Sequence, residues 1–349
     1  LGAEPAAFQA AAGSGPRDDV CMQMPGLPAA LTRALGARPW APWLAPRAPR
    51  AITAVMLGES CLVARVEPGA GGARPKLAEA LEGDSSDLAR WRAAGLFDDS
   101  RTLLVLRSAE RHVLTLDRPE VPAAELPLAV RWPLGESLEV EPDQLLATAV
   151  EMPRINDAAP AQVLAIAARL EPVKAQLATL RSAGIEARSI DVTDSALRGM
   201  RALHPADNDG WVVLAMVGND VCIGLLWHGQ FCALRTLALP VRQPRDTQEF
   251  EEQLALHIQR TTDLFERQAR QLAIRQVLAA MPSLSQASRA AVQSALPLSA
   301  KVFAVDEAFD TSAVLAERCS DHNDLTALAC VATARLFDLV PTAATTAAP

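Results

Sequence analysis

The chain has 349 residues, half of them apolar, with few aromatics and no tyrosine. That is enough for two domains with sizeable aliphatic cores. A formal net charge of −8 excludes an extended nucleic-acid groove, which needs clustered Lys and Arg to neutralise phosphates.

Residues 1–50 are rich in Ala, Pro, Gly and Arg, and read as a flexible arm. Regular structure starts at Ala51. Ile52–Leu57 and Cys61–Glu67 read as two strands joined by a tight turn at Gly58-Glu59-Ser60, and a second turn leads to Lys76–Glu82. The glycines at 69, 71 and 72 do not form a Walker loop, because Arg74-Pro75-Lys76 follows them instead of Gly-Lys-Ser/Thr opening a helix. Ser85–Ala94 predicts a helix capped by Ser85 or Ser86 and stopped by Gly95.

Thr102–Arg107 and Arg111–Asp117 read as strands, and Ala124–Trp132 as a short helix in a proline-punctuated stretch. Gln162–Ala168, Pro172–Ala183 and Ile185–Val192 follow as strand, helix and strand, a β-α-β unit of its own. Val173, Leu177 and Leu180 mark the packed face of its helix.

Trp211–Arg235 gives a three-stranded meander with turns at Val217–Asp220 and His228-Gly229. The apolar window from Trp211 to Trp227 has Asn219 and Asp220 at its centre, so it is a hairpin and not a membrane helix. No leader pattern is read, and cytoplasmic residence is the expectation.

A long helix is expected over about Thr247–Leu278, with Phe250, Leu254, Ile258, Phe265, Ala269 and Leu272 on its inner stripe. Ser283–Leu296 reads as a helix, Ala300–Val305 as a strand, and Leu325–Leu339 as a last helix capped by Asn323 or Asp324. The tail 341–349 has no pattern.

The six cysteines lie far apart without a CxxC pair, several within apolar runs, and read as buried free thiols. Cys319-x-x-His322 has no second pair, so no metal site is expected. No Gly-x-Ser-x-Gly elbow occurs, and the five histidines have no evident nucleophile beside them.

Two meanders, each followed by helices, with a small α/β unit inserted in the first half, give the expected fold class. It is α/β: an actin-like, duplicated ribonuclease-H-like two-domain fold. Residues 51–116 and 190–210 would form the first domain, with helix 323–339 packing back on it. Residues 117–189 would be the insert and 211–322 the second domain.

Three blocks carry a resemblance. Arg111–Pro119 with Val121-Pro122, Glu125-Leu126 and Ala129–Trp132 resembles the inserted subdomain of PilM-type pilus assembly proteins, the MSHA-pilus (MshI) branch most of all. Ala183-Gly184-Ile185, Ile190-Asp191-Val192 and Ala196-Leu197-Arg198 fit the same family, as does Leu254–Gln268. The resemblance spans residues 50–338.

It implies a cytoplasmic protein at the inner membrane. Such a protein binds the cytoplasmic tail of a bitopic, PilN- or MshJ-like partner beside the insert, and helps join the assembly platform to its motor ATPase. Arg131 and Trp132 are the first candidates for that contact, the bland reading of Trp132 being core packing.

The same resemblance implies a nucleotide cleft, which this sequence has altered. Gly58, Glu59 and Ser60 would form the first phosphate turn, and Gly218, Asn219 and Asp220 the second. The acids preceding them are replaced by Met56 or Leu57 and by Met216. A thioether is a poor ligand for magnesium, which takes hard oxygens. On the adenosine side, Ala279-Ala280-Met281-Pro282 stands where adjacent glycines are usual. The expectation is a non-enzymatic adaptor with no bound ATP or magnesium. The alternatives are an ATPase whose nucleotide state switches partner binding, and the cytoplasmic domain of a type II secretion platform protein.

Overall fold

The computed structural model describes residues 50–70, 73–154, 160–204, 210–217, 220–238, parts of 252–263, 274–280 and 300–339. The expected arm, the tail, Gly218, Asn219, Met281, Pro282, the helix over 283–296 and the inner stripe of the long helix lie outside them.

In chain order the elements are β1 Ala51–Met56, β2 Cys61–Glu67, β3 Lys76–Gly83, α1 Asp87–Ala93, β4 Ser100–Leu106 and β5 Arg111–Asp117. Next come α2 Leu126–Ala129, α3 Arg131–Leu138, β6 Leu145–Glu151, β7 Gln162–Arg169, α4 Leu170–Ser182, β8 Ser189–Val192 and α5 Ser195–Ala202. The second half holds β9 Gly210–Val217, β10 Asp220–Trp227, β11 Gln230–Ala238, β12 Ile274–Ala280, β13 Ala300–Val302, α6 Val305–Ala308, α7 Ala313–Asp321 and α8 Asn323–Leu339.

Among the described residues the strands form three sheets, ordered β3-β2-β1-β4-β8, β11-β10-β9-β12-β13 and β5-β7-β6. The two five-stranded sheets have one wiring. In each, an antiparallel meander feeds two parallel strands: β1 pairs with β2 antiparallel and β4 parallel, and β9 pairs with β10 antiparallel and β12 parallel. A repeated strand order with the same directions is the signature of a duplicated unit. The central strands β1 and β9 are buried along their whole length, as strands covered on both faces must be.

Two helices exchange between these lobes. Helix α5 follows the first sheet yet touches β9 and β10 of the second, while α8, the last described element, packs on β1 and β2. They cross each other at Gly199, where a Cβ would overlap the backbone of Cys330. Segment 305–321 covers the outer edge of β3. The Leu77 amide donates to the Asp310 carbonyl at 3.0 Å and Arg318 donates to the Ala80 carbonyl at 2.7 Å, so the edge is not left open.

The third sheet sits in the chain between β4 and β8 and has its own small core. On α2 and α3, Leu126, Val130 and Leu134 recur at four-residue spacing and pack on Leu145, Ala147, Val163, Ala165 and Ala167.

Several expectations need correction. Strand β5 pairs with β7 in the inserted sheet, so the insert starts at Arg111 and not at 117. Strands β7 and β8 are not one β-α-β unit: β7 lies between β5 and β6, whereas β8 pairs with β4. Only Ser189–Val192 of the expected strand 185–192 is extended in the sheet, paired with Leu103–Leu106 of β4.

The end of the expected long helix, Ile274–Leu278, is strand β12, held between β9 and β13. Ala300–Val305 shortens to Ala300–Val302 before α6 begins. Helix 124–132 is two helices that reach Leu138. Ser86 takes the N-cap position of α1, as expected, but its hydroxyl makes no capping bond; Asp87 accepts from the Asp84 amide at 3.0 Å and closes that turn. Asn323 and Asp324 are the first two residues of α8, and His322 precedes it. Strand β6 and helix α7 had no counterpart in the sequence reading.

Candidate functional site

In open α/β sheets ligands settle outside the carboxyl ends of parallel strands. In the first lobe β1, β4 and β8 end together at Met56, Leu106 and Val192. The Gly58-Glu59-Ser60 turn, the β4–β5 connection and the start of α5 therefore share one edge.

At that edge the chain places two arginines. The Arg107 guanidinium lies against Gly58 so closely that a Cβ there would overlap it, and it donates to the Ser60 carbonyl at 3.3 Å. The Gly58 backbone is not left-handed. The Arg107 amide donates to Glu110 at 2.8 Å, and Gln176 of α4 donates to the other Glu110 oxygen at 2.6 Å.

Arg111 is buried and grips the buried Asp194 carboxylate with two bonds, Nε to Oδ2 at 2.5 Å and Nη2 to Oδ1 at 2.6 Å. Its Nη2 also donates to Thr236 Oγ1 of β11 at 2.7 Å. Burial works against the Arg111 charge, but the Asp194 carboxylate, then Cys222 and Asp220, outweigh it and hold the guanidinium above its ordinary range. Asp194 stands at the N-cap of α5 without capping it, since both its oxygens face Arg111.

Met56 and Met216 are buried in the core-facing ends of β1 and β9. Asp220 opens β10, opposite Val217 and Ala238, and is half-buried. The side chains at this edge thus include the Met56 and Met216 thioethers, the two arginines, Asp194 and Glu110, both already engaged, the exposed Glu59 and the half-buried Asp220. Among the described residues no three His, Cys, Asp or Glu side chains cluster as metal ligands, and no helix is long and apolar enough to cross a membrane. Arg107, Arg111, Asp194 and Thr236 were not singled out in the sequence. The one available signal was an acid directly after an apolar strand, in Asp191-Val-Thr-Asp194.

The second candidate surface is on the insert. Trp132 is 72 % exposed and Leu128, four residues earlier on the same face, is 55 % exposed. Core packing is therefore wrong for Trp132: its neighbours Leu126, Val130 and Leu134 fill the inner face of these helices. Arg131 beside it is half-buried. A groove of about 720 Å³ opens next to Trp132, lined by Glu136, Glu139, Glu141, Pro142 and Arg169 among others. The loop under it is tight, with Glu139 left-handed at φ 52° and the Val140 amide bonded to the Gly135 carbonyl at 3.0 Å. The turn residues and the Arg131–Trp132 pair thus belong to separate places, one at the cleft edge and one on the insert.

No family model and no curated protein matches the sequence. Solved structures do. The PilM–PilN type IV pilus biogenesis complex is similar over 85 % of this chain and 100 % of that one, at 18 % identity and a TM-score of 0.61. The cytoplasmic domain of EpsL, from the type II secretion system of Vibrio cholerae, is similar over 82 % and 95 % at 9 % identity and 0.47. A Bacteroides thetaiotaomicron protein described as having an actin-like ATPase fold is similar over 80 % and 96 % at 10 % identity and 0.43. The fold is actin-like. That agrees with the duplicated sheets and with the fold class expected from the sequence.

Proposed function

We propose that this protein is a scaffold of a type IV pilus assembly platform, of the MSHA-type (MshI-like) branch, that binds a partner and turns over no nucleotide. Its partner is the cytoplasmic tail of a bitopic inner-membrane protein, PilN- or MshJ-like in role, with the assembly motor ATPase as a further contact. The protein then resides in the cytoplasm, held at the inner membrane through that partner.

The observation that carries this reading is the exposed Leu128–Trp132 ridge on the insert of a chain whose fold is similar to the PilM–PilN complex. Large apolar side chains left in water beside a groove mark interaction surfaces. Glu136, Glu139 and Glu141 on the groove's rim give it an acidic character, with Arg169 the opposing charge among its lining residues. Cytoplasmic segments next to membrane spans carry an excess of Lys and Arg, so a short basic and apolar tail fits this rim.

The silent-cleft half of the reading rests on the first-lobe edge. Magnesium wants carboxylate or water oxygens, and here the strand ends offer Met56 and Met216, while Asp194 is committed to Arg111. The Arg107 guanidinium lies against Gly58 and donates to the Ser60 carbonyl, but it brings no oxygen for magnesium. These residues do not fit a magnesium nucleotide.

Titrating the full chain with tail peptides from candidate bitopic partners tests the reading. Saturable binding that Trp132→Ala abolishes supports it. Binding of no tail, together with magnesium-dependent ATP hydrolysis by the purified chain, overturns it.

A further inference from the structure

Arg111 stands where three sheets meet. It opens β5 of the inserted sheet, Asp194 lies between β8 and α5 of the first lobe, and Thr236 belongs to β11 of the second lobe. One guanidinium bonds to both, at 2.5 and 2.6 Å to Asp194 and 2.7 Å to Thr236, across 83 and 125 positions of sequence. Cys222 of β10 lies 4.0 Å from the same nitrogen.

We infer that Arg111 is a built-in cation that clasps the two lobes across the cleft, so that their closure is fixed by the chain itself. In two-lobed proteins that close on a bound ligand, contacts made only in the closed state set the equilibrium. Here such contacts come from a side chain of the protein itself.

Three features make the clasp strong. A guanidinium does not lose its proton in a protein, so its charge persists at every working pH. Its planar fork matches the carboxylate bidentately and leaves one Nη2 hydrogen for the threonine. Opening the lobes would leave Asp194 and Arg111 paired but strip Thr236 from Nη2; losing Arg111 would leave a buried carboxylate with no counter-charge, which is far costlier. Asp220, at the head of β10, adds a second negative charge from the second lobe in the same field. The inference stands whether or not the tail-binding reading holds.

Cys222 offers a native reporter. It is fully buried beside the clasp, whereas Cys61 lies in the core of the first lobe and Cys232 in the second. The full chain is pulsed with N-ethylmaleimide and each cysteine is quantified by mass spectrometry, with and without magnesium ATP. In the wild type, Cys222 should label as slowly as Cys61, and magnesium ATP should leave that rate unchanged. Arg111→Met should speed Cys222 by about ten-fold or more through local opening while Cys61 and Cys232 stay protected.

Thr236→Val keeps the ion pair and removes only the link to the second lobe, and should give a smaller, equally selective increase. If Arg111→Met speeds all three cysteines together, the fold itself has failed and Thr236→Val decides: selective labelling of Cys222 supports the clasp, and none overturns it. Unchanged Cys222 in a folded Arg111→Met variant, or a wild-type rate that magnesium ATP alters, also overturns it.

Discussion

The Arg335 guanidinium of the last helix sits 2.5 Å from the Asp191 carboxylate at the end of β8, both side chains almost wholly buried. The other Asp191 oxygen accepts from the Val192 amide at 2.8 Å and the Ser195 hydroxyl at 2.6 Å. The chain's last helix is thus fastened to the first lobe, and it crosses the α5 helix that reaches into the second. Removing one partner of such a pair leaves an uncompensated buried charge, at a cost of about 3–5 kcal/mol, whereas replacing both with apolar groups is milder. Arg335→Met should lower the urea stability by that amount, and Arg335→Met with Asp191→Leu should recover part of it. A loss under about 1 kcal/mol for the single change would contradict the pairing.

The helix crossing gives a second prediction. Gly199 and Cys330 approach so closely that a methyl group at 199 meets the α8 backbone. Alanine is otherwise the better helix former by about 1 kcal/mol. Overpacking of a tight core nonetheless costs about 1–3 kcal/mol, and a main-chain neighbour cannot rotate away. Gly199→Ala should therefore destabilise the protein in denaturant melts. A stabilised variant would mean that the helices can slide apart.

Much of this architecture is legible in the sequence. The meanders were legible because apolar runs such as Trp211–Val217 and Cys61–Val66 are bounded by turn residues, and His228-Gly229, with φ of 50° and 76°, forms the expected hairpin tip. Ile274–Ala280 misled because a short apolar run fits helix and buried strand alike, and only pairing with β9 and β13 decides. The ion pairs were not legible at all: Arg111–Asp194 and Arg335–Asp191 join residues 83 and 144 positions apart. Nor was Trp132's exposure, since a tryptophan between Arg131 and Pro133 carries no sign of which face it takes.

Acidification should loosen the second lobe through His204. Its ring stacks 6.1 Å from Trp211, and burial first, then Lys301 and Arg201, push its pKa below the ordinary value, with Glu307 opposing. A histidine with a depressed folded pKa binds fewer protons folded than unfolded. Its contribution is complete above the unfolded value of about 6.5 and is lost as pH falls toward the folded one. Melting temperature should drop between neutral pH and pH 5, and His204→Gln should flatten part of that slope. An identical slope in the variant would rule the residue out.

Thiol chemistry should be slow at the cysteines among the described residues of the native protein. Burial pushes Cys61 up to about 12, with Asp87 adding to it, and does the same to Cys232 and Cys319. Thiolate is the reacting species, so these groups stay inert at pH 8. Iodoacetamide at that pH should modify Cys61, Cys232 and Cys319 only after denaturant is added; rapid native modification of Cys61 would contradict its place in β2.

Trp132→Ala separates function from stability. The side chain is 72 % in water, so its loss removes little core contact and should change stability by no more than about 0.5 kcal/mol. If the Leu128–Trp132 ridge anchors a partner, the same change should weaken tail binding by at least about 2 kcal/mol, some thirty-fold in Kd, as loss of a central aromatic anchor does. Glu136→Gln, Glu139→Gln and Glu141→Gln together should weaken a basic tail further and reduce the salt dependence of binding, because fewer charges remain to be screened. Isothermal titration at two salt concentrations measures both effects. Tail binding that ignores Trp132 and all three glutamates would move the partner contact off this face of the insert.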